Sequence, residues 1–193
     1  MKILLKSALI LDPGSKYHQK KVDLLISDGI IEKIGNNLKI SDADKEIRLK
    51  DLHISKGWFD SSVSFGEPGF EERETLKNGL KTAARSGFTA VALNPDTQPV
   101  VDTNAIVSSL FSKSESEATE LFPIGALTVR SQGEDLAELY DMKQAGAVAF
   151  GDYKKPVSNP NLLKMALLYT QNFGGLVQSF PQDRKIAGNG LVN

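Results

Sequence analysis

The side chains that most often carry chemistry are scarce in this chain. Among its 193 residues there is no cysteine, and the only histidines are His18 and His53. Without thiols there is neither a disulfide nor a Cys-ligated metal, and the composition fits a reducing compartment. A serine nucleophile needs a neighbouring base, and neither histidine is placed to act as one. His18 sits in the polar stretch Lys16-Tyr17-His18-Gln19-Lys20 and reads as solvated, whereas His53 belongs to a strand-rich N-terminal segment. No Gly-x-Gly-x-x-Gly or Gly-x-x-x-x-Gly-Lys-Ser/Thr motif follows a strand. The glycines of Ala187-Gly188-Asn189-Gly190-Leu191 read as a surface turn. What remains is oxygen chemistry, from Asp60, Asp96 and Asp152 beside the hydroxyls of Ser62 and Ser64. Such a set suits magnesium or calcium better than zinc, and its spacing gives no specific support to either.

The elements that must position these residues fall into two rhythms. Up to about residue 56 the chain reads as short strands and turns: Ile3–Leu11, Val22–Ser27, Ile30–Ile34, Glu46–Lys50 and Leu52–Ile54. Asp28-Gly29 between the second and third predicts a type I′ hairpin. From residue 57 to 193 the pattern becomes strand, loop, helix. Strands are predicted near Phe59, Phe88, Leu121, Ala147 and Gly175, with helices over Glu71–Ser86, Asp102–Ser116, Glu134–Gln144 and Asn161–Phe173. The last helix is apolar on more than one side and is expected to be well buried. Repeated units of this kind predict an α/β fold with a parallel sheet, either doubly wound or the first five units of a (β/α)₈ barrel.

In either architecture ligands meet the C-terminal ends of the strands. The rim then holds Ser62, Ser64 and Gly66, Asn94 to Thr97, Thr128 and Arg130, Gly151 to Tyr153, and Gln178-Ser179. Asp152 is the best remaining candidate for a reactive group there, and even so a lone rim carboxylate is commonly solvated. Asp60 reads as a structural hydrogen-bonding residue.

Bulk properties exclude other classes. With 40% apolar and 24% charged residues and a net charge of −1, the chain reads as an ordinary soluble globular protein. It has no basic stripe for nucleic acid. No apolar run approaches the roughly 18–20 residues of a membrane span. Lys6 and the turn residues Asp12-Pro13-Gly14 make the N-terminus a strand rather than a signal peptide, so a cytoplasmic location is expected.

Several motifs, in order, resemble the dihydroorotases of the amidohydrolase superfamily. Asp60 with Glu67-Pro68-Gly69 is similar to that family's Asp-x-His-x-His-x-Arg-Glu-Pro-Gly, followed by Glu74-Thr75 and Gly87-Phe88-Thr89-Ala90-Val91. Asn94-Pro95-Asp96-Thr97-Gln98-Pro99-Val100 is similar to Met-Pro-Asn-Thr-x-Pro-Val, and Ala145 to Asp152 to Ala-Gly-Ala-Val-Ala-Phe-Ser-Asp. The resemblance implies a (β/α)₈ TIM-type barrel, of which about the first five units are present at 57–193, preceded by part of a small β-sandwich at 1–56. A five-stranded partial barrel leaves an open edge, so the sequence is read as part of a longer protein.

The departures fall on functional positions. By the resemblance, Ser62 and Ser64 stand where metal-binding histidines are expected, Gly66 where an arginine grips the substrate, and Asp96 where an asparagine binds it. Ser179 stands at the strand-five histidine, and Asp152 alone keeps its identity. Zinc is the cofactor of an active member, and none is expected here. The reading is therefore a dihydroorotase-like protein of pyrimidine biosynthesis that is catalytically inactive. It is expected to act as a structural or regulatory partner of aspartate transcarbamoylase and to be a homo-oligomer. The alternatives are an active cyclic-amide hydrolase with a rebuilt site and a ligand-binding module that uses the old pocket.

Overall fold

The computed structural model describes residues 1–39 and 44–188, so Asn189 and Gly190 of the expected glycine turn lie outside the described residues. The chain divides into two compact units, Met1–Lys56 and Gly57–Asn193.

The first unit is one mixed sheet built on a long central strand, β1 (Lys2–Leu11). β2 (Lys21–Ser27) and β3 (Ile30–Gly35) follow it as an antiparallel hairpin across Asp28-Gly29, both with positive φ. β4 (Lys45–Ile47) and β5 (His53–Ser55) pair in parallel with the other edge of β1. Ala8, Ile10, Val22 and Leu24 form the buried face. His18 is half-buried rather than solvated, and its Nδ1 is enclosed without a hydrogen-bond partner among the described residues.

A β-bulge between Leu5 and Ala8 interrupts β1, and Asp23 stabilises it. Its carboxylate accepts from the amides of Ser7 (2.9 Å) and Leu38 (3.0 Å) and from Lys6 Nζ (2.6 Å). Burial pushes the Asp23 carboxyl up, but the Lys6 and amide hydrogen bonds outweigh it, and the group titrates below its ordinary value.

The second unit is a curled five-stranded parallel sheet, with β6 (Trp58–Val63), β7 (Phe88–Leu93), β8 (Glu120–Gly125), β9 (Ala149–Phe150) and β10 (Leu176–Val177) in sequential order. Its connections are α1 (Leu76–Arg85), α2 (Asn104–Ser114), α3 (Leu139–Gln144) and α4 (Pro160–Gln171). A short α5 (Arg184–Ala187) follows β10. Helix and strand side chains meet in one core that includes Leu80, Val107, Leu127, Met142 and Phe150, all essentially without exposure.

Three helices differ from the sequence expectation, each for a local reason. α1 begins at Leu76 instead of Glu71, because Thr75 caps it and the Glu74 carbonyl is taken by the Gly66 amide at 2.9 Å. α3 begins at Leu139 instead of Glu134. Residues 135–137 run beside the end of β8, where Ala137 N donates to Leu127 O and Val129 N to Asp135 O. α4 starts at Pro160, one residue before the expected Asn161 and behind the Asn159 cap, but Met165 and Leu168 are 58% and 55% exposed, so it is not buried all round.

Replacing Asp23 with Ala strands two amides and the Lys6 ammonium, and is expected to cost about 3 kcal/mol in urea unfolding. Because the folded carboxyl is depressed, the stabilisation is fully present above the unfolded pKa of roughly 3.9. It is lost as the pH falls through the folded value, so the difference between parent and variant shrinks in acid.

Candidate functional site

The parallel sheet delivers all five strand ends to one edge, and each loop leaving that edge carries one of the predicted site residues. Two cavities open there. One, of about 290 Å³, is lined by Ser62, Asn94, Asp152, Gln178 and Ser179. The other, of about 500 Å³, is lined by Phe70, Asp96, Arg130, Tyr153 and Lys155 among others.

The β6 end is tied down by its own polar groups. Asp60 accepts from the Ser62 amide at 3.0 Å, which is the structural role expected of it. Buried Asn94, just beyond β7, donates through Nδ2 to Ser62 Oγ (3.0 Å) and to Val63 O (2.9 Å). Ser64 Oγ donates to Asp96 Oδ2 and accepts from Arg73 Nη2 at 3.2 Å. Arg73 Nη2 also donates to Phe65 O at 2.8 Å and lies 3.6 Å from Asp96. Arg73 is the residue that sequence reasoning missed. It lies in Glu71-Glu72-Arg73-Glu74, read as a helix face, and only the loop geometry turns it toward the rim.

That loop closes on Gly66. A Cβ at this position would lie 1.8 Å from the Phe70 carbonyl oxygen, so no side chain fits on this backbone. Gly69 is similar: its φ is +97°, and a Cβ would lie 2.0 Å from Gln98 O, which joins the loop to the segment after β7. Glu67 anchors the outside, accepting from the Leu76 amide (2.9 Å) and from Lys113 Nζ (2.6 Å). The Lys113 hydrogen bond holds the Glu67 carboxyl below its usual range, against the opposing effect of partial burial.

Asp152 is not the solvated rim carboxylate that the sequence suggested. It is 5% exposed. Its Oδ1 accepts from the amides of Leu127 and Thr128, each at 3.0 Å, and its Oδ2 accepts from the Thr128 hydroxyl. Those bonds fix the turn after β8, where Arg130 and Ser131 both have φ of 52°. Left-handed backbone costs about 1–2 kcal/mol at each non-glycine residue.

Zinc does not fit this donor set. Ser62 and Ser64 offer hydroxyls, Asn94 an amide, and Asp152 a carboxylate already engaged by three donors, in place of the imidazole and free carboxylate that zinc selects. Among the described residues no group of three or more His, Cys, Asp or Glu side chains is arranged to hold a metal ion. Ser179 lines the smaller cavity from an exposed position after β10.

The Dihydro-orotase-like family pattern matches residues 53–193. The chain belongs to that family. It is 38% identical over its whole length to a dihydroorotase from Citrifermentans bemidjiense and 39% identical to one from Pelotomaculum thermopropionicum, covering 46% and 45% of those proteins. The chain therefore spans a little under half the length of the curated relatives it matches. Among solved structures, L-hydantoinase (dihydropyrimidinase) from Arthrobacter aurescens superposes with a TM-score of 0.68 at 17% identity, over 91% of this chain and 39% of that one. This likeness shows the fold: the curled parallel sheet with its connecting helices has the architecture of part of a TIM-type (β/α) barrel. Dihydro-orotase-like family membership and the rim geometry thus describe one molecule, with the family's fold around a rim of hydroxyls and amides.

Replacing Asp152 with Asn puts an amide nitrogen against the Thr128 hydroxyl and weakens the acceptor for two buried amides. The variant is expected to lose about 1–3 kcal/mol in chemical denaturation. An unchanged unfolding midpoint would show that the carboxylate is not needed to hold this turn.

Proposed function

We propose that this protein is a dihydroorotase-like component of pyrimidine biosynthesis that lacks the metal-ligand histidines and is catalytically inactive. It acts as a structural or regulatory partner of aspartate transcarbamoylase. The observation that carries the reading is the bonding of Ser62 and Ser64: each hydroxyl is paired with a neighbouring side chain, Asn94 for the first and Asp96 with Arg73 for the second. Hydrolysis of a cyclic amide near neutral pH needs an activated water and a group to polarise the carbonyl. Hydroxyls already used in hydrogen bonds supply neither, and residues 57–193 include no histidine to act as a base.

The core beneath the rim is intact, with large side chains such as Leu76, Leu93 and Phe150 fully buried. A maintained scaffold under a rim without catalytic donors supports a role in assembly, and the family resemblance supplies the partner. The same reading takes the protein to be cytoplasmic and a homo-oligomer. Among the described residues no helix is long and apolar enough to cross a membrane.

The test mixes the purified protein with aspartate transcarbamoylase at micromolar concentrations and follows both by size-exclusion chromatography with light scattering. A co-eluting complex of defined mass is expected, together with no turnover of dihydroorotate. Independent elution would remove the scaffold role, and measurable turnover would restore the active-hydrolase reading.

A further inference from the structure

Helix α4 is apolar on more sides than the fold covers. Leu162, Ala166 and Thr170 are its buried residues, and Lys164 is its only charge. On the outer side Met165 and Leu168 are exposed, with Tyr169 beside them at 44% exposure. Tyr140 of α3, 46% exposed, joins the same surface, because its ring and that of Tyr169 pack edge-on against Phe173 at 5.5 and 5.3 Å. Met165 stands three residues before Leu168 and four before Tyr169, so these side chains are neighbours on the helix. A helix that is apolar on more than one side calls for burial on more than one side.

Side chains of this size carry on the order of 200 Å² each, so four at about half exposure leave about 400 Å² of apolar surface in one place. A patch of that size is commonly an interaction site. The charges around it are self-complementary. Lys164 lies toward the N-terminal end of α4, whereas Asp141 follows Tyr140 and so lies beside the C-terminal end, next to Phe173. Among the described residues, neither the Lys164 ammonium nor the Asp141 carboxylate has an ion-pair or hydrogen-bond partner. The last turn of α4 has no basic residue either, which leaves the negative end of its dipole uncompensated.

From these features we infer that the outer surface of α3 and α4 is a contact between two copies of this chain, with the α4 helices antiparallel across a two-fold axis near Leu168. The two Leu168 side chains meet at the axis, flanked by Met165 and the tyrosines. Each Lys164 then faces the Asp141 and the α4 C-terminal end of the other copy, whereas parallel helices would set Lys164 against Lys164 and Asp141 against Asp141. Facing copies remove about 800 Å² of apolar surface before the polar surround is counted, and stable dimers bury about 1,200–2,000 Å² in all. The inference rests on the homo-oligomer reading and names the surface that reading requires. It needs no metal and no transcarbamoylase.

The test follows the mass of the purified protein alone by sedimentation velocity, from nanomolar to micromolar concentration at low ionic strength. A reversible dimer is expected. Leu168→Glu should weaken it about a hundredfold or more, because each substitution acts twice in a symmetric contact. Lys164→Glu and Asp141→Lys should each weaken it roughly tenfold, and the double variant Lys164→Glu/Asp141→Lys should recover the parent affinity. Lys77→Glu, exposed on α1, should leave it unchanged. Recovery by charge exchange cannot come from misfolding, so it decides the matter even where Leu168→Glu fails to fold. An oligomer whose mass none of these variants changes would keep the homo-oligomer reading and overturn this surface. A monomer at every concentration would overturn both. If that monomer bound aspartate transcarbamoylase and lost it on Leu168→Glu, the surface would belong to that enzyme instead.

Discussion

Parallel strands cannot be joined by tight turns, and this constraint governs the C-terminal unit. Each strand of the sheet must be regained through a helix on its outer face, so every strand ends at the same rim. The helices are held mainly by apolar burial, with Leu80, Val107 and Met142 fully enclosed. The loops at the rim send only a few side chains such as Leu127 into that core, and polar contacts fix the rest of them. What those polar contacts are determines what the rim can do.

Here they are turned inward. Asn94 is consumed by Ser62 and Val63, Asp152 by Leu127 and Thr128, and Arg73 by Phe65 and Ser64. A buried polar group without a partner costs as much as a lost hydrogen bond, so such a network is stabilising as structure and poorly available for chemistry. Gly66 shows how far the rearrangement goes. The loop carbonyl at Phe70 occupies the space a side chain would need, and the guanidinium beside Ser64 comes from Arg73. Asp96 Oδ1, left without a donor, is the one member of this network that remains unsatisfied among the described residues.

Much of the fold was readable from the residues. The Asp28-Gly29 hairpin, the strands at Phe88 and Glu120 and the helix behind Asn159-Pro160 all follow from turn chemistry and apolar periodicity. Periodicity misled where residues that can lie on a helix face were drawn into extended chain. Leu136 has helical spacing from Leu139 and Tyr140, yet its segment bonds to the end of β8 because Thr128 and Leu127 offer partners there. The site was legible as a set of positions, since strand ends can be counted, but not as a set of contacts. Nothing in Glu-Glu-Arg-Glu tells that Arg73 reaches Ser64, and nothing around Asp152 reveals three converging donors. Both depend on loops whose paths are set by distant carbonyls.

Whether this rim holds a metal ion separates an emptied site from a working one. The direct measurement is the zinc content of the purified protein after incubation with zinc and desalting, read by inductively coupled plasma mass spectrometry. A ratio near zero per chain is predicted, because the hydroxyls, amide and engaged carboxylate at the rim are weak competitors for zinc. One or two ions retained per chain would contradict it and would mean that the network around Ser62, Ser64 and Asp152 opens to bind metal.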